Sequence, residues 1–167
     1  RWNYEYLDEL HTGSFTTLTA APSIEFNTNG QPSVAYFGVD IENRELIVKY
    51  AEKKSNIWSI DEIERTELLN RSWFARCKLN FNSSGLPIII YPLLRNTLAD
   101  SFIKIARFDG SQWNSKYLGE GGNNLDFDII KLSETLPEKI VLAHLLQPPD
   151  RYATLTIKEQ ILEFAKE

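Results

Sequence analysis

Short runs of alternating apolar and polar residues, each closed by turn residues, follow one another along nearly the whole chain. That pattern belongs to half-buried β-strands rather than to helices. Ile24-Glu25-Phe26 alternates and leads into Asn27-Thr28-Asn29-Gly30, a turn in which glycine can supply a positive φ. Pro32 stands at the entrance of the next strand, where its missing N–H costs no ladder bond. The strand Val34 to Phe37 is followed by a longer polar loop, by a strand from Leu46 to Ala51, by the polar break Lys53-Lys54-Ser55-Asn56 and by a strand around Trp58. Together these predict a four-stranded antiparallel meander of about 50 residues, the size of one propeller blade.

The meander repeats. Ile24-Glu25-Phe26-Asn27-Thr28-Asn29-Gly30-Gln31-Pro32-Ser33-Val34-Ala35-Tyr36 recurs as Leu79-Asn80-Phe81-Asn82-Ser83-Ser84-Gly85-Leu86-Pro87-Ile88-Ile89-Ile90-Tyr91, an offset of 55 (Phe26 to Phe81) that also carries Ala51 onto Ala106 and Trp58 onto Trp113. Trp2-Asn3-Tyr4-Glu5-Tyr6-Leu7-Asp8-Glu9 matches Trp113-Asn114-Ser115-Lys116-Tyr117-Leu118-Gly119-Glu120 in Trp, Asn, Tyr, Leu and Glu, so the chain is expected to open on an isolated last strand. A degenerate third unit follows from about Leu125, with strands at Ile130 to Leu132, Ile140 to His144 and Tyr152 to Ile157, and with the glycine-free turn Ser133-Glu134-Thr135-Leu136-Pro137. Glu159 to Lys166 fits either a short helix or a final strand. The fold class expected is all-β, a single partial β-propeller over 1–167: the last strand of a blade in 1–17, blades in 18–72 and 73–124, and a degenerate blade in 125–167. Closed propellers use about 4–8 blades. Three leave inner edges unpaired, so either a homodimer completes a six-bladed ring or the chain is a piece of a longer one. The absence of methionine, with Arg1-Trp2-Asn3 opening in strand-like sequence, points to a fragment or a processed product.

The unit can be written as a hydrophobic triplet, Asn-x-x-Gly-x-Pro, a strand ending at Tyr36 or Tyr91, then Leu46-x-x-x-Tyr50-Ala51 or Phe102-Ile103-Lys104-Ile105-Ala106, then Gly110-Ser111-Gln112-Trp113. From about Trp2 to Leu145 it resembles the repeats of bacterial BNR-like and Asp-box-like β-propellers. Phe108-Asp109-Gly110-Ser111-Gln112-Trp113 looks like the turn those families place between their last two strands, and Lys54-Ser55-Asn56-Ile57-Trp58 keeps its tryptophan. The resemblance implies a propeller fold. It leaves activity open, because propellers host lectins, lyases, sialidases and scaffolds.

Composition narrows the partners. With 43% hydrophobic and 25% charged residues the chain is neither a disordered tail nor a membrane protein, and no apolar run approaches the roughly 20 residues of a membrane span. The net charge is −5, with lysine and arginine scattered, which argues against nucleic acid as a partner. Cys77 is the only cysteine, so no internal disulfide and no multi-thiolate zinc site can form; a buried apolar role is expected of it. An extracellular or cell-surface location is expected, with the cytoplasm as the alternative.

Trp58, Trp113 and by extension Trp2 recur at one repeat position and are expected to pack between blades. Trp73 is different: its aligned positions are Leu18 and Asn124, so the repeat does not require it, and it lies in an inter-blade connection where an indole can stack on a sugar ring. Arg76 aligns with Ala21 and Phe127, with Asp126 and Asp128 nearby; these charges precede the innermost strands and are candidates to orient a ligand in a central channel. A catalytic constellation is not legible. The only histidines are His11 and His144, the arginines do not recur at a common position, and no acidic run has calcium-loop spacing. Neither a metal nor a cofactor is expected. The reading is a non-catalytic binding module, carbohydrate-binding or adhesive, with Trp73 and Arg76 as lead contacts for a glycan. The alternatives are part of a sialidase-like or polysaccharide lyase propeller, and a scaffold for a protein ligand.

Overall fold

A computed structural model of the chain describes residues 5–8, 18–67, 73–94, 101–120, 124–130, 139–146 and 154–161. The regular elements among them are all strands: β1 (Leu18–Ala21), β2 (Ser23–Phe26), β3 (Pro32–Asp40), β4 (Glu45–Lys54), β5 (Ile57–Glu67), β6 (Trp73–Arg76), β7 (Lys78–Phe81), β8 (Pro87–Leu94), β9 (Ser101–Phe108), β10 (Trp113–Glu120), β11 (Asn124–Ile130), β12 (Lys139–Leu146) and β13 (Thr154–Ile161). Among the described residues no helix is long and apolar enough to cross a membrane.

Two four-stranded antiparallel meanders, β2-β3-β4-β5 and β7-β8-β9-β10, form the first and second units, and a three-stranded sheet, β11-β12-β13, forms the third. Among the described residues none of these sheets closes on itself. The first two units share one register. Ile24 pairs with Val34 as Leu79 pairs with Ile89, and Tyr36 pairs with Lys49 as Tyr91 pairs with Lys104.

The turns explain that identity. Asn27 and Asn82 are both buried, and each side-chain oxygen accepts a backbone N–H four residues on, from Gln31 at 2.9 Å and Leu86 at 2.8 Å. The N–H of Gly30 donates to the Asn27 carbonyl, and that of Gly85 to Asn82, with the glycines at φ 72° and 75°. Asparagine thus satisfies the loop's donors while glycine takes the left-handed step, which returns the chain in register.

Several elements run longer than their hydrophobic pattern suggests. β3 continues to Asp40 and β4 starts at Glu45, leaving a turn at 41–44 where a longer loop is predicted. Two acids, Asp40 and Glu45, face each other there, and the Arg65 Nη1 atom bridges them at 3.2 and 2.9 Å. Without that cation like charges would end the ladder earlier. The predicted break at Lys53 to Asn56 shrinks to Ser55 and Asn56, both at positive φ, a two-residue hairpin turn.

The connections before β2 and β7 are also strands rather than loops. β1 and β6 pair in parallel, Leu18 with Trp73 and Ala21 with Arg76, so the partners are one repeat apart. In the third unit β11 spans both positions as one strand and lies beside β6 and β7. β13 begins at Thr154 and runs through Ile161, which assigns the start of the Glu159 to Lys166 stretch to a strand. The predicted positions of Trp2, His11, the Ser133 to Pro137 turn and the last six residues lie outside the described residues.

The core is an inter-unit core. Ala35, Phe37, Leu46, Val48 and Tyr50 of the first unit pack with Cys77, Leu79, Ile89, Tyr91, Leu93 and Ala106 of the second. Trp113 packs edge-on to Tyr50 at 5.2 Å, between units as expected. On the other face of the second unit, Ile88, Ile90, Ile103 and Ile105 are also buried.

Candidate functional site

A polar contact repeats at the junctions between units, and it begins with the backbone. In β5 the ladder slips so that Val48 faces Glu64 and Lys49 faces Glu62, leaving Ile63 as an extra residue; in β10 the same slip leaves Leu118. A β-bulge puts residues three apart on one face of a strand. Asp61 and Glu64 therefore both point at the second unit.

Glu64 accepts from the Tyr91 hydroxyl at 2.6 Å and from the Lys104 ammonium at 2.5 and 2.7 Å. Asp61 accepts from the Trp113 indole N–H at 3.2 Å. Burial first, and then the facing carboxylate, pushes the Tyr91 hydroxyl pKa well above its ordinary value.

The same clasp is made one unit earlier by residues 5–8. Asp8 accepts from the Tyr36 hydroxyl at 2.8 Å and from the Lys49 ammonium at 2.8 Å, while Glu5 accepts from the Trp58 indole at 3.2 Å and from Lys53 at 2.6 Å. Tyr36 is raised in the same order, by burial and then by Asp8. Residues 5–8 thus stand where the last strand of a preceding unit would stand, although among the described residues they pair with no strand. These acids escape a gapless repeat comparison, because Asp8 and Glu64 are 56 residues apart while their partners are 55 apart. The recurring Tyr36 and Tyr91, together with the recurring Lys49 and Lys104, were the available signal.

The ligand candidates fall on β6 and β11. Trp73 opens β6 opposite Leu18, and Arg76 closes it opposite Ala21 with its side chain exposed. Asp126 and Asp128 lie in β11 opposite Ala143 and Val141, on the edge strand of the third sheet. The structure therefore brings the strand of Trp73 and Arg76 next to the strand of the two aspartates.

Cys77 follows directly. It is buried, its thiol lies 3.9 Å from the Ala21 carbonyl, and burial pushes its pKa up to about 12, which makes it an unreactive core residue. Among the described residues no group of three or more His, Cys, Asp or Glu is placed to hold a metal ion.

Neither a family model, a curated protein nor a solved structure matches the chain.

Proposed function

We propose that the chain is an arc of a β-propeller and works as a non-catalytic binding module, with a carbohydrate as ligand at the rung of β1, β6 and β11. The observation that carries this reading is the parallel pairing of β1 with β6 at an offset of one repeat (Leu18 with Trp73). Equivalent segments of successive units run side by side in one direction, as segments lining a propeller axis do. Around that axis the repeat constrains most positions, and those it leaves free, Trp73, Arg76, Asp126 and Asp128, combine an aromatic ring with charges of both signs. Sugar recognition uses that mixture: an apolar face to stack on, and polar groups to fix the hydroxyls.

The test is a printed array of neutral and acidic oligosaccharides probed with the labelled full chain. Its hits are then titrated by tryptophan fluorescence. Trp73→Ala and Arg76→Ala should each weaken binding at least tenfold, about 1.4 kcal/mol, with an unchanged thermal melt. A folded chain that binds no glycan overturns the carbohydrate assignment. Release of cleaved product from an acidic polysaccharide overturns the non-catalytic one.

A further inference from the structure

The two complete units offer a direct comparison of equivalent faces. In the second unit Leu79 is 0% exposed and Phe81 7%, because the first unit covers them; their repeat mates Ile24 and Phe26 are 62% and 67% exposed. That face already carries part of a neighbour, since Asp8 and Glu5 clasp its outer end as Glu64 and Asp61 clasp the second unit. What is uncovered is the part that the inner strands of a preceding unit would cover.

The opposite end of the stack shows the complementary deficit. The third sheet has three strands, and among the described residues β13 pairs with β12 alone. Among those residues it lacks a fourth, outer strand, and residues 5–8 occupy an outer-strand position without the other three. Tyr6 makes the point at the level of a side chain. It is 99% exposed, whereas Tyr117, at the matching position before the bulge, is 52% exposed and packs on Phe102 at 5.4 Å with the Lys104 ammonium over its ring.

We infer that the β11-β12-β13 sheet of a second copy of this chain docks on the face of Ile24 and Phe26, and that residues 5–8 complete that sheet as its fourth strand. The inference rests on the propeller-arc half of the proposed function and is independent of the ligand. Each copy then gives two whole units and shares two, and a head-to-tail contact made twice closes a two-fold ring of six units, within the usual range. The occupant is fixed by continuity: the face extends an interface already made by Asp8 and Glu5. The second-unit register, in which Tyr117 faces Lys104 and Gly119 faces Ile103 across the bulge, transfers directly. It puts Tyr6 opposite Glu159 of the other copy, and Asp8 opposite Lys158.

Light scattering on the full chain should give twice the 19.3 kDa of one copy. Chains carrying Tyr6→Cys mixed with chains carrying Glu159→Cys should form a mixed disulfide under mild oxidation. Directly opposed residues have Cα atoms about 4.5–5.5 Å apart, within disulfide reach, and buried Cys77 does not compete. Phe26→Asp should halve the mass while leaving the β-sheet circular dichroism in place. A monomeric wild-type chain, folded or not, overturns the inference. So does a dimer in which the two introduced thiols form no link while Phe26→Asp leaves its mass unchanged. A chain carrying both substitutions that links within itself overturns it too. Glycan binding is read separately, so a monomer that binds sugar refutes the ring alone and a dimer that binds none refutes the ligand alone.

Discussion

Replacing Lys104 by methionine removes the cation from the clasp between the first two units while keeping its apolar stem. Among the described residues Glu64 then retains the Tyr91 hydroxyl, at 2.6 Å. The pair is sheltered, with the Lys104 side chain 12% exposed and that of Glu64 22%. Hydrogen bonds to charged groups contribute roughly 1.5–3 kcal/mol. Breaking a fully buried pair costs about 3–5 kcal/mol, and an exposed pair gives about 1 kcal/mol or less. A partly solvated site falls between these, so Lys104→Met should destabilise the chain by about 2 kcal/mol. That is a roughly thirtyfold change in the folding equilibrium and a fall of about 4–8 °C in Tm. Some of that loss is packing, which a double-mutant cycle with Glu64→Gln removes. The coupling energy, from urea unfolding followed by circular dichroism, should be about 1–1.5 kcal/mol and should shrink but persist in about 1 M salt. A coupling below about 0.3 kcal/mol would refute the clasp as a determinant of inter-unit stability and leave it a surface ion pair.

Two further outcomes follow from the turns and the buried acids. Gly30→Ala and Gly85→Ala both force alanine to positive φ at about 1–2 kcal/mol, but a Cβ at Gly85 also meets the Thr28 Cγ2 at 2.9 Å while Gly30 has nothing within 4 Å. Gly85→Ala should therefore be the costlier in urea melts, and Thr28→Ala, which removes both the Cγ2 and the Oγ1 at 3.0 Å, should recover the difference. Burial pushes Cys77 from 9.0 to about 12 and Tyr50 from 10.0 to about 12, so the unfolded chain releases these protons first. Their contribution is complete below about pH 9 and is lost as pH rises toward 12, at up to about 1.4 kcal/mol per pH unit for each group. Urea melts at about pH 8, 10 and 11 should show that decline, with its earliest part abolished in Cys77→Ala; a flat profile would be evidence against it.

What could be read in the sequence was whatever the repeat writes into a fixed residue type at a fixed offset. The Asn-x-x-Gly-x-Pro turns, the paired tryptophans and the four-stranded units follow from local chemistry, and the structure keeps all three. The acids of the clasp were hidden because the equivalent residues, Asp8 and Glu64, stand one position further apart than the rest of the repeat. The strand character of β1 and β6 was hidden for another reason. Leu18-Thr19-Ala20-Ala21 and Trp73-Phe74-Ala75-Arg76 are too short to show a period, and they become strands only because stacking brings them side by side. Exposure of Ile24 and Phe26 is illegible in principle, since their local sequence matches that of Leu79 and Phe81 and the difference lies in what is docked above them.

The junction between the second and third units is built differently from the first. At the position of Glu64 the second unit has Gly119, and where the other units pair a tyrosine with a lysine the third pairs Val141 with Glu159. The residue types of the first clasp therefore do not recur at the second junction, where the second unit presents Ile88, Ile90, Ile103 and Ile105 with Arg107 and Lys116 on the same face. Because apolar contact weakens on cooling, the hold of those four buried isoleucines is the part of the stack that cold would loosen.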